Sequence, residues 1–194
     1  PPATLPSKAR RAPPARAATR QIVGLSLVSA MQALLPDAPP ALHIQLADDY
    51  KTAFQTMRAK GEVDEPLFDG IVASLDALEA AGWLLGVATG KSDRGLDLCL
   101  RHHGLRDRFV TLQTADRHPS KPHPSMAYEA MAEAGAAPHT TIMIGDTSFD
   151  MEMGRAAGAR SLGVDWGYHD ADDLWAAGAF HIASHPDQII EAVQ

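Results

Sequence analysis

The chain has 194 residues, 45% of them hydrophobic and 21% charged, with a formal net charge of −7. That is the composition of a globular protein, one domain or a core carrying a small second one. No apolar run approaches the ~20 residues needed to span a bilayer, so no membrane partner is expected. Cys99, the single cysteine, excludes an intrachain disulfide and a thiolate zinc cluster. It sits in "LDLCLRHHGL", which reads as a buried thiol on a helix, and a reducing, cytoplasmic location is expected.

The N-terminal stretch is basic. Lys8, Arg10, Arg11, Arg16 and Arg20 precede Asp37, and all 24 acidic residues lie from Asp37 onward. A basic arm is a candidate for nucleic acid, but "PPATLPSKARRAPPAR" has no aromatic residue and its prolines forbid a long amphipathic helix. No nucleic-acid partner is expected, and residues 1–16 read as an extended or disordered arm. Leu27, Ala30, Met31 and Leu34 then repeat at helical spacing and stop before Pro36. Tyr50, Ala53, Phe54 and Met57 repeat the same spacing towards Lys60-Gly61. The two helices, joined by "PDAPP", form a hairpin that must lie over something else to bury its apolar face. Arg20 and Lys51 fall in this region and are candidates to meet an anionic substrate.

From residue 67 the rhythm changes. A helix over 69–81, a strand "WLLGVATG" (83–90), a helix over 93–103, a strand "FVTLQT" (109–114) and a helix opened by Pro124 follow in turn. "TTIMIGD" (140–146) is a third strand, the helix after it ends near Gly158, and "RSLGVDWG" is a fourth strand. Such alternation predicts a parallel sheet flanked by helices. "HIASH" reads as a final strand running into a proline loop, with His181 and His185 a weak metal pair.

Ligands bind outside the carboxyl ends of such strands. Three polar groups fall there: Thr89-Gly90 after "GVATG", Lys121 in "HPSKPHPS", and Asp146 with Asp150 in "GDTSFD". Parallel strands place all three loops on one edge of the sheet. Thr89 Oγ and the Gly90 N–H suit phosphoryl oxygens, and Lys121 supplies fixed positive charge where negative charge builds. Asp146 offers a hard oxygen to Mg²⁺. Asp150, one turn on, is a second metal-side residue, holding a metal water or steering Lys121. A plain structural reading of the pair stands beside this one: Thr147 as N-cap and Asp150 at N3 make a relative of the capping box. His118 and His123 flank Lys121, near a substrate or simply solvated.

The order Thr, Lys, Asp-x-x-x-Asp, carried by "VATGKS", "KPHPSMAYEAM" and "MIGDTSFDMEMGRAAGA", resembles the haloacid dehalogenase superfamily, in particular its phosphoglycolate phosphatase-like branch. "GVDWGYHDADDLWAAGA" resembles the segment closing the core of that branch, and the helical hairpin resembles its cap. The resemblance implies a Rossmann-like α/β core over 67–194 and a small helical cap over 17–66 that helps choose the substrate. It also implies Mg²⁺-dependent hydrolysis of small phosphorylated metabolites through an aspartyl-phosphate. Catalytic roles then fall to Lys121, Thr89 and Asp150, phosphate binding to Thr89, Gly90 and Lys121, and metal binding to Asp146 and Asp150.

Family members begin with a central strand ending in Asp-x-Asp-Gly-Thr, whose first Asp is the nucleophile. That motif is absent here. Asp170-Ala-Asp172 lies in a loop beyond the fourth strand, and residues 1–11 hold three prolines and no apolar run. A truncated chain or a misread gene start is the simplest account. Strands 83–90 and 140–146 are expected to flank the missing strand and to leave the sheet centre disturbed. Two alternatives stay open: a phosphate-binding pseudoenzyme or inactive fragment, and another enzyme of the superfamily such as a phosphomutase.

Overall fold

The computed structural model describes residues 14–194, so the expectations for residues 1–13 of the arm lie outside it. Arg16, read as the end of that arm, instead opens a short helix, α1 (Arg16–Gln21). Helices α2 (Leu27–Leu34) and α3 (Pro40–Ala59) follow and pack on each other. Ser26 caps α2 by accepting the Ser29 N–H, and Pro40 sits in the first turn of α3, where its missing N–H costs nothing.

The remaining elements alternate, and as far as the fourth strand they follow the predicted order. They are α4 (Ile71–Ala80), β1 (Leu85–Thr89), α5 (Asp93–His102), β2 (Phe109–Thr114), α6 (Ser125–Ala134), β3 (Ile142–Gly145) and α7 (Ser148–Ala156). Then come β4 (Arg160–Val164), α8 (Ala171–Ala177), β5 (His181–Ala183) and α9 (Gln188–Val193). All strand pairing is parallel: β1 with β2, β3 with β4, and β4 with β5.

Period-two alternation sends opposite residues of each strand to opposite layers. Leu85, Ile142, Ile144, Leu162 and Val164 meet Leu78 of α4 and Ile189 and Val193 of α9. Val87 and Leu112 face Leu96 and Leu100 of α5 on that same side. On the other side Ala88 and Met143 meet Met126 and Met131 of α6 and Met153 of α7. Residues of the hairpin contribute to none of these clusters.

The sheet is divided. Its strands form two groups, β1-β2 and β3-β4-β5, and among the described residues nothing is hydrogen-bonded to the inner edge of β1 or of β3. Both inner strands still send side chains into the same two cores, so the free edges lie towards each other. β3 is apolar yet every one of its residues is only partly buried, whereas all of β4 beyond Arg160 is buried.

Unpaired strand N–H groups exchange with solvent, and doubly paired ones do not. Alternate amides of β1 and β3 should therefore exchange at least about tenfold faster than those of β4, read by hydrogen–deuterium exchange. Equal protection in β3 and β4 would mean that something covers the β3 edge.

Candidate active site

The carboxyl ends of the parallel strands carry the candidate residues. The polar centre is an ion pair: Lys121 Nζ donates to Asp150 Oδ1 at 2.5 Å, with the two side chains only 7% and 5% exposed. Asp150 Oδ2 is engaged as well, accepting the Thr147 hydroxyl at 2.7 Å and the Thr147 N–H at 3.2 Å. Thr147 Oγ1 in turn accepts from the Asp150 N–H at 3.4 Å. The capping box and the Lys121 partnership are thus both present, one on each oxygen of the same carboxylate. Of the two tasks the sequence left to Asp150, the partnership with Lys121 is present, on Oδ1.

Asp146 follows the last residue of β3 and is wrapped by the loop after β4. Tyr168 N–H donates to its Oδ2 at 3.0 Å, and His169 N–H to its backbone oxygen at 3.2 Å. Burial, with the Asp150 charge adding to it, pushes the Asp146 carboxyl above the ordinary carboxylate range, against the backbone hydrogen bonds and the charge of Lys121. Lys121, Asp146 and Asp150 together carry one uncompensated negative charge, a setting that favours a cation beside Asp146. No cluster of three or more His, Cys, Asp or Glu side chains forms a metal cage among the described residues. The hard oxygens of Asp146 fit Mg²⁺, which keeps much of its water and takes one or two carboxylates.

Close backbone approach makes this site possible. A Cβ on Gly145 would lie 2.4 Å from Asp150 Cβ and Cγ, and one on Gly167 would lie 2.1 Å from Asp146 Cβ. The segment between α1 and α2 then reaches all three loops. Gly90 packs so tightly on it that a Cβ would stand 2.7 Å from the Leu25 carbonyl oxygen. Gly24, at φ +99°, lies against the Thr147 side chain, and Ser26 N–H donates to Ser120 Oγ at 2.8 Å. Thr89, Lys121 and the Asp146–Asp150 turn are thereby gathered around residues 22–26. Thr89 Oγ1 accepts from the Lys91 N–H at 3.2 Å, a turn contact that leaves the hydroxyl proton free.

Several expectations need correction. Arg20 is not on either hairpin helix but on α1, where it donates to the carbonyls of Gly167 and Tyr168 at 3.1 and 3.2 Å. Lys51 pairs with Asp48 on the surface of α3. His185 Nδ1 lies 2.8 Å from Asp187 Oδ1 on the surface. Asp172 is helical, in the first turn of α8. Cys99 is half-buried rather than buried. Glu65 escaped notice: it bridges Arg58 of α3 and Lys91 beyond β1, and these cations hold its carboxyl below the usual range although burial works to raise it. His169 was also missed. Its Nδ1 accepts the Ser148 N–H at 3.1 Å, completing the start of α7.

The chain is similar in sequence and in fold to known hydrolases. Residues 7–164 match the family of haloacid dehalogenase-like hydrolases. The probable phosphatase IndB of Dickeya dadantii is 42% identical over 113 residues, 57% of this chain and 49% of that protein. A phosphoglycolate phosphatase of Xylella fastidiosa is 30% identical over 185 residues, 91% of this chain and 80% of that protein. The chain thus spans about half of the first relative and most of the second. Among solved structures, a hydrolase from Pseudomonas syringae superposes with a TM-score of 0.81 at 21% identity, covering 93% of this chain and 83% of that one. A predicted phosphatase from Clostridium acetobutylicum gives 0.79 at 26% identity, with 90% and 79% covered.

Two outcomes test the geometry. Gly145→Ala should cost about 1–3 kcal/mol of stability in denaturant titration, because its Cβ occupies space that Asp150 fills. Asp146→Asn should raise Tm in metal-free buffer at neutral pH. The folded chain holds the Asp146 proton more tightly than the unfolded chain does. Its contribution is therefore full below an ordinary aspartate pKa of about 4 and is lost as pH rises through the higher folded value. The gain from Asn should fade on acidification to about pH 4; a lower Tm at pH 7 would contradict it.

Proposed function

The chain belongs to the haloacid dehalogenase-like hydrolase family, and on that premise we propose that it is the phosphate-handling part of a Mg²⁺-dependent phosphomonoesterase of small phosphorylated metabolites. Two-carbon phosphorylated acids of the phosphoglycolate kind are the first substrate class to test. The observation that carries this reading is the buried Lys121–Asp150 pair beside Asp146, at the carboxyl ends of parallel strands. A buried ammonium held by one carboxylate needs no reorganisation to meet developing phosphoryl charge. Lys121 takes that role, the Thr89 hydroxyl and Gly90 N–H donate to the other phosphoryl oxygens, and Asp150 fixes Lys121. Asp146 is the protein ligand for Mg²⁺. When bound, that ion screens and orients the phosphoryl group.

Residues 17–66 act as the cap and 67–194 as the core. Nothing in the described site is a free carboxylate placed to attack phosphorus. We assign that step to a strand seated between β1 and β3 and ending in Asp-x-Asp-Gly-Thr. Its first carboxylate oxygen bonds to phosphorus as the ester oxygen departs with a proton from the second acid, and water then releases phosphate. The reducing compartment implied by the lone cysteine makes the cytoplasm its place of action. Residues 1–194 by themselves bind phosphate weakly in this reading and do not turn it over. That same expectation would describe a pseudoenzyme, a reading favoured by the open sheet centre.

The test joins such a strand to the N-terminus and assays p-nitrophenyl phosphate and phosphoglycolate with Mg²⁺. Turnover should appear in the extended chain and not in residues 1–194. Lys121→Ala should lower kcat by roughly 10²–10³, the loss seen when one transition-state donor is removed. Asp150→Asn should lower it less, since it touches the substrate only through Lys121. An inactive extended chain with intact fold favours the pseudoenzyme, and turnover indifferent to Lys121 removes the proposed site.

A further inference from the structure

We propose that His118 and Gln113 are positioning residues that set the place of the Lys121 ammonium, through one line of hydrogen bonds running from Glu133 to Ser125. The proposal deepens the role given to Lys121 above and rests on it. Lys121 lies midway along the segment that joins β2 to α6, a stretch without regular secondary structure. Something must hold that segment for its lysine to be a fixed charge.

Gln113, in β2, is completely buried. Its amide nitrogen donates to Glu133 Oε2 and Thr111 Oγ1, each at 2.8 Å, and its carbonyl oxygen faces His118 Nε2, also at 2.8 Å. His118 Nδ1 meets Ser125 Oγ at 2.8 Å. The chemistry of the groups fixes the directions from Glu133 to His118 Nε2. An ionised carboxylate only accepts, so Glu133 requires the NH₂ end of Gln113 and leaves the oxygen to His118. The Thr111 hydroxyl at 2.6 Å, with Gln113 adding, keeps the Glu133 carboxyl below its ordinary range against the effect of burial. An amide oxygen also only accepts, so His118 Nε2 carries a proton, and Nδ1 shares a hydrogen bond with the Ser125 hydroxyl.

One imidazole thus joins the strand before the Lys121 segment to the first residue of the helix after it. His118 and Ser125 form the base of a loop and Lys121 stands near its tip, with Asp150 gripping the ammonium from the opposite side. Gln113 is buried at the middle of this line, while His118 and Ser125 are half-buried and Glu133 is exposed, so the buried amide oxygen depends on His118 for its partner. Losing the Gln113–His118 bond frees the base of the loop, and the tip moves with it.

Amide side chains separate the two halves of this device, since Gln places nitrogen where His has Nε2 and Asn where it has Nδ1. The full chain labelled with ¹³C-lysine and ¹⁵N-histidine gives the readout, the Lys121 ε-methylene signal being identified by its loss in Lys121→Ala. Wild type should show a protonated His118 Nε2 and a Lys121 signal apart from the solvent-exposed lysines. His118→Gln should keep that signal. His118→Asn and Gln113→Leu should move it to the exposed-lysine position. His118→Asn is the second arm because Gln113→Leu also removes the amide that donates to Glu133 and Thr111 and so risks misfolding. A lower Tm with an unmoved Lys121 signal would reduce the line to core stability and overturn the proposal. So would loss of the signal in His118→Gln, which would make ring bulk the cause. The lysine signal reads position whether or not phosphate binds, so it fails or holds separately from the phosphatase reading.

Discussion

The buried ion pair between Lys121 and Asp150 is the constraint on which the rest of the site depends. Removing two charges from water costs several kcal/mol per ion, repaid only where every remaining lone pair and proton finds a partner. Asp150 achieves this through Thr147, which spends both its N–H and its hydroxyl on one carboxylate oxygen. That in turn demands an α7 beginning at Ser148 and a residue without a Cβ at 145. The pair is also a bridge across the divided sheet. Lys121 follows β2, in one group of strands, and Asp150 follows β3, in the other.

Asp146 is a different kind of group. Its neighbours do not neutralise it, and burial beside Asp150 works against its ionised form. A carboxylate kept in such a place at the mouth of parallel strands detracts from the stability of the empty fold. A bound cation reverses the sign. Such a conflict between stability and local chemistry marks functional positions.

Much of this was legible because the signals are local. β2 occupies 109–114 as read, the helices over 69–81 and 93–103 are trimmed by no more than two residues per end, and the Asp146–Asp150 turn is where an apolar strand meeting Gly-Asp had to put it. Helices α1, α8 and α9, with 6, 7 and 6 residues, went unread because helices so short carry little periodicity and owe their existence to docking. The choice between cap and Lys121 partner at Asp150 was undecidable in sequence for a physical reason. A carboxylate has two oxygens, and each reading describes one. Distant pairings such as Arg20 with Gly167, or Glu65 with Lys91, leave no periodic or spacing signal. The Gln113–His118 contact escaped for the opposite reason. A polar residue within "FVTLQT" reads as the solvent-facing half of an alternating strand, yet its side chain is the most deeply satisfied polar group of the segment.

The open sheet centre follows from the same balance. Direct pairing of β1 with β3 would satisfy two rows of backbone groups, each bond contributing about 1 kcal/mol net. It would also draw the two strand groups together, and three things resist that. The apolar layer of α4 and α9 spans both groups on one side, the methionine-rich contact between α6 and α7 spans them on the other, and the Lys121–Asp150 pair fixes their carboxyl ends. Closing the centre would break the well-packed layers and strand a buried charge, a loss of about 3–5 kcal/mol for the ion pair alone. Solvated edge groups cost far less, because water replaces the missing partner. The fold therefore keeps its strands apart and the loops at their carboxyl ends in place, with β1 and β3 presenting unpaired edges towards the centre among the described residues.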